Sequence, residues 1–129
     1  MKPMTVEWIE KAEGDFAMVL RESRARKNPS FDGICFHAQQ CAEKYLKARL
    51  CEAGIEFAKV HDLVALLNHA TAVEPGWELF REDLAYLSDF AVTYRYPGES
   101  ADKQAADDAR KRCRKFRLAA RAALEMEAK

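Results

Sequence analysis

Glycine and proline are scarce in this chain, five and four residues among 129. No alternation of apolar and polar residues runs long enough to be a strand, which excludes a sheet protein. No stretch approaches the roughly 18 apolar residues of a membrane span. The opening residues lack the apolar core of a secretion signal, because Glu7, Glu10 and Lys11 interrupt it at once. The expectation is a cytoplasmic protein with no membrane contact. Cys35, Cys41, Cys51 and Cys113 include no Cys-x-x-Cys and are not spaced like a secreted disulfide framework. All four are expected as reduced thiols, most of them buried as small apolar side chains. Charge of one sign is missing too, with 21 Lys and Arg against 21 Asp and Glu. Neutrality excludes binding to polyanions through bulk charge, so any electrostatic partner must be chosen locally.

What is present is an ordinary globular composition, 49% hydrophobic and 33% charged, long enough for one domain over 1–129 with one real core. Helical periodicity runs through most of it. Trp8, Ile9, Ala12, Phe16, Val19 and Leu20 mark a helix over about 5–25, stopped by Asn28-Pro29-Ser30. A second helix opens near Asp32, read as its N-cap, and ends at Gly54. Two apolar lines run along it: Ile34, Ala38, Cys41, Tyr45 and Ala48, beside Cys35, Ala42, Leu46 and Leu50. So wide an apolar face predicts a central helix. Asp62 can cap a brief helix to about Thr71. A fourth helix is expected over about 77–94, with Phe80, Leu84, Leu87, Ala91 and Tyr94 on one stripe, and a fifth from about Ser100 onward. The reading is an all-α bundle of four long helices and one short one.

On the second helix His37, Gln40, Lys44 and Lys47 stand three or four residues apart, on one stripe. An imidazole, an amide and ammonium groups can seat a phosphate or a base edge, and the same pattern can be a solvated polar face. Arg95-Tyr96-Pro97-Gly98 is the most pointed local feature. Arg95 either complements a helix C-terminus or clamps a phosphate with its planar fork, and Tyr96 then offers an aromatic face to a base. His37 and Cys41 are four apart, but His61, His69 and Cys113 add no ligand spacing, so neither metal nor cofactor is expected. There is no Gly-x-Ser-x-Gly and no Gly-rich phosphate loop. The last helix concentrates Arg110, Lys111, Arg112, Arg114, Lys115, Arg117 and Arg121, with no acid from Ala109 to Leu124. That band is either a solvated face or a surface for RNA backbone, through Arg110, Lys111, Arg114, Lys115 and Arg117, or for an acidic protein.

The block Phe36-His37-Ala38-Gln39-Gln40-Cys41-Ala42-Glu43-Lys44-Tyr45-Leu46-Lys47-Ala48 resembles the central helix of HEPN domains (higher eukaryotes and prokaryotes nucleotide-binding). Gly54, His61-Asp62-Leu63 and Arg95-Tyr96-Pro97 follow in the family's order, and Trp8, Ala12, Asp15 and Phe16 fit its first helix. The resemblance covers nearly the whole chain. It implies a compact helical bundle, commonly dimeric, of the kind that pairs with a minimal nucleotidyltransferase as a toxin–antitoxin system. The ribonuclease branch of that family carries an arginine, a short spacer and a histidine. Here Arg95 is followed by Tyr, Pro, Gly, Glu, Ser, Ala and Asp, and no other arginine has a histidine at that distance. The resemblance therefore implies a non-catalytic domain that binds a nucleotide or a nucleotidyltransferase through His37, Gln40, Lys44, Arg95 and Tyr96. Two other readings stay open: a metal-independent ribonuclease using Arg95 with another base, and a structural dimerisation module whose interface those residues fix.

Overall fold

The computed structural model describes residues 1–126. They form α1 (Pro3–Ser23), α2 (Phe31–Ala53), α3 (Leu63–Ala70), α4 (Arg81–Ser88) and α5 (Lys103–Ala123), and no strand occurs among them. None of the helices is long and apolar enough to cross a membrane.

α2 lies at the centre, because it is apolar on more than one side. Both lines read from the sequence are buried throughout, and twelve of its 23 residues are buried. α1 runs antiparallel along it: Thr5 Oγ1 donates to Glu52 at 2.9 Å, while Asp15 meets His37 near the other end. Pro3 opens α1 where a missing N–H costs nothing. Ile9, Ala12, Phe16 and Val19 then recur at helical spacing and face inward. α5 packs on another side of α2, burying Ala106, Ala109, Cys113, Phe116 and Ala120. Small side chains on both helices let their backbones approach closely. α5 also lies antiparallel to α1, since Arg117 reaches Glu13 while Arg24 and Asp107 border one groove.

The N-cap of α2 differs from the expected Asp32. Ser30, in extended conformation, accepts the Gly33 N–H at 2.9 Å. Asp32 lies inside the first turn and accepts the Ala101 N–H at 2.7 Å instead, tying the start of α2 to the approach to α5. Gly54 caps the far end at φ 72°, and Asp62 caps α3 by accepting from Val64 and Ala65.

The fourth segment is interrupted rather than continuous. A 3₁₀ turn over Pro75–Phe80 leads into the eight residues of α4, and a second 3₁₀ turn covers Asp89–Ala91. Tertiary contacts explain the break. Trp77 and Phe80 both pack edge-on against Phe116 of α5, with centroids 5.0 and 5.5 Å away. The Ser88 hydroxyl accepts the Leu63 N–H at 2.9 Å, anchoring the end of α4 to the start of α3. Leu84, Leu87 and Ala91 are buried, whereas Phe80 and Tyr94 are only half-buried.

Candidate functional site

The polar residues of α2 gather into two networks. At the α1–α2 seam, Asp15 is buried and accepts from both His37 Nδ1 at 2.7 Å and Lys44 Nζ at 2.5 Å. His37 and Lys44 are seven residues apart, two helical turns, so both face the same neighbour. Both are half-buried. Their donors close a carboxylate of the same chain, so this contact needs no second subunit.

Gln40 turns the other way. Its Nε2 donates to Gln39 Oε1 at 2.6 Å, and Gln39 Nε2 donates to Glu43 at 3.0 Å and to the His61 carbonyl at 3.2 Å. Glu43 is buried and also meets Lys47 Nζ at 3.0 Å and His61 Nδ1 at 2.9 Å. Burial pushes the Glu43 carboxyl upward, but hydrogen bonds from Gln39, His61 and Lys47 outweigh it and hold it below the usual range. Lys47, expected on the polar stripe, is buried as well, its ammonium 5.4 Å from the Trp8 ring centroid and 5.9 Å from that of Phe57. Gln39 and Glu43 escaped the sequence reading, although their i, i+4 spacing with Lys47 was there to find.

Arg95 stands beside α2 rather than on Asp15. The preceding Tyr94 adopts φ 69°, a left-handed conformation that is strained for a bulky residue, and its ring stacks on Phe90 at 5.8 Å. This reversal lays the Arg95 guanidinium 6.0 Å from the Phe36 ring centroid, above a shallow cleft lined by Asp32, Gly33, Phe36 and Thr93. Its one hydrogen bond is to the Ala91 carbonyl at 3.4 Å, and no carboxylate pairs with it among the described residues. Tyr96 is 74% exposed. The structure thus joins His37 to Lys44, places Arg95 against Phe36, whose ring meets that of His37 at 5.3 Å, and leaves Gln40 in the second network and Tyr96 in solvent.

The basic band of α5 divides by direction. Arg117, expected among the RNA-contacting residues, faces inward: its guanidinium meets Glu13 at 2.7 and 2.6 Å and lies 4.2 Å from the Phe16 centroid. Arg121 is buried too, against Glu13 and the Tyr45 hydroxyl. Glu13, which also accepts from Tyr45, is raised by burial but held below the usual range overall by Arg117 and Tyr45. Arg112 and Lys115 both reach Asp83, at 3.1 Å each. Arg110, Lys111 and Arg114 face outward or half outward. Among the described residues, no group of three His, Cys, Asp or Glu side chains could hold a metal ion.

The bundle and its polar seams define an all-α domain built on one central helix. Residues 5–123 match the HEPN domain family. The chain belongs to that family, whose members bind nucleotides or act on RNA. No curated protein and no solved structure matches the chain.

Proposed function

We propose that this HEPN domain is a non-catalytic binding protein, a homodimer in the cytoplasm that takes a nucleotide, a minimal nucleotidyltransferase, or both, as one half of a toxin–antitoxin-type pair. One observation carries the reading: Arg95 holds an accessible guanidinium with no carboxylate partner among the described residues, over the Phe36 ring that meets His37. An arginine so placed can fork onto phosphate oxygens. Tyr96 and Phe36 supply aromatic surface for a base, while Lys44, paired with Asp15, stands two turns beyond His37 on α2. Gln40 acts through Gln39 as a positioning residue. The exposed basic residues of α5, Arg110, Lys111, Arg114 and Lys115, are a contact surface for RNA. The test is calorimetric titration of a nucleotide panel, with co-purification of a minimal nucleotidyltransferase. Arg95→Ala should weaken one of these about tenfold, and unchanged affinities would overturn the site.

A second reading, a metal-independent ribonuclease, has one observation in its favour. Asp15 fixes His37 through Nδ1, which in a neutral ring leaves Nε2 as a proton acceptor. Incubation with RNA in the presence of chelator separates the two. Cleavage abolished by both His37→Ala and Arg95→Ala would replace the binding reading with this one.

A further inference from the structure

The groove between the second half of α1 and the first half of α5 gathers Arg24, Arg110 and Arg114 above Phe16 and Leu20, with Ser23 and Asp107 at its edge. Its volume is about 450 Å³, in the range of small-ligand sites. Three guanidiniums face one carboxylate there. Among the described residues Asp107 pairs with Arg110 alone, at 4.0 Å, the outer limit of an ion pair. Arg24 and Arg114 have no carboxylate within reach among the described residues. Elsewhere on α5 the arginines are matched, Arg112 by Asp83 and Arg117 by Glu13. Arg110 and Arg114 are four apart on one helix face, where like charges repel. Uncompensated cations over an apolar floor fit an oxyanion attached to an apolar or aromatic body.

We propose that this groove binds a phosphate group, carried either by a free nucleotide or by the backbone of single-stranded nucleic acid. The three guanidiniums take the phosphate oxygens, and Phe16 and Leu20 meet the rest of the ligand. The site lies on the α5 side of α1 and does not depend on Arg95. It sharpens the RNA contact assigned to α5 by choosing three residues, one of them from α1.

Two probes separate the sources: inorganic pyrophosphate and a short 5′-phosphorylated oligouridylate, each titrated into arginine-labelled protein and followed at the Nε–H resonances. The groove resonances should shift with at least one probe at low salt. The triple variant Arg24→Gln, Arg110→Gln, Arg114→Gln should bind about tenfold or more weakly, while Arg95→Ala should retain groove binding. For the oligonucleotide, the slope of log affinity against log salt should fall by about 0.7 for each arginine removed. Glutamine keeps helix propensity close to that of arginine, and unfolding of the variant is checked by its melting temperature. No binding of either probe, or unchanged binding in a folded triple variant, overturns the proposal. Loss of groove shifts in Arg95→Ala would do so as well, by moving the binding to the other site.

Discussion

Asp15 and Lys44 form an ion pair of 2.5 Å across the α1–α2 seam, with the Asp15 carboxylate buried. The pair joins α1 to the central helix α2, and His37 shares the same acceptor. Asp15→Ala removes the acceptor of two donors at once and is expected to cost about 1–3 kcal/mol in urea unfolding. A double-mutant cycle with Lys44→Ala should return a coupling of about 0.5 kcal/mol or more. Strict additivity would show that the two side chains act independently.

Glu43 makes stability depend on acid. Its folded carboxyl sits below the ordinary value of 4.5, so the folded state favours the ionised form more than the unfolded chain does. The resulting stability is fully present above about pH 4.5 and is lost as pH falls through the lower folded value. Glu43→Gln should cost about 3 kcal/mol at neutral pH, by leaving Lys47 buried without its counter-charge. It should also flatten the decline of stability in acid. Glu13 has the same sign and stays in both proteins, so the difference between the two pH curves reads Glu43. Parallel curves through the acid range would remove the assignment.

Gly54 closes α2 at φ 72°, and an added Cβ would meet only Lys2 Nζ, at 3.6 Å. Space is therefore not the constraint; the backbone conformation is. Gly54→Ala should destabilise by about 1–2 kcal/mol. A neutral result would mean that the chain leaves α2 by another route in solution.

The thiols should separate by reactivity. Burial pushes the Cys35 thiol up to about 12, with Asp32 and Asp102 adding to it. Burial also raises Cys41, which lies against Cys113. Cys51 is only half-buried. One thiol equivalent should react with a disulfide reagent in the native state and the other three only on unfolding. Mass mapping that finds Cys35, Cys41 or Cys113 modified before Cys51 would contradict the packing.

Periodicity and caps in the chain itself determined much of this protein. The two apolar lines of α2 are buried as read, Gly54 and Asp62 cap as read, and the block from Phe36 to Ala48 with His61-Asp62-Leu63 led to the family that residues 5–123 match. Such signals are legible because they arise within a few turns of one helix. Tertiary structure decided the directions of the charges. Lys44 and Lys47 stand three apart on α2, yet one meets Asp15 of α1 and the other Glu43 of its own helix. Arg114 and Arg117 are likewise neighbours on α5, one exposed and one buried on Glu13. The fourth segment broke because Trp77 and Phe80 were drawn to Phe116 and Ser88 to Leu63. Whether a charge finds its partner across a seam or along its own helix is set by how the helices pack, and spacing alone does not decide it.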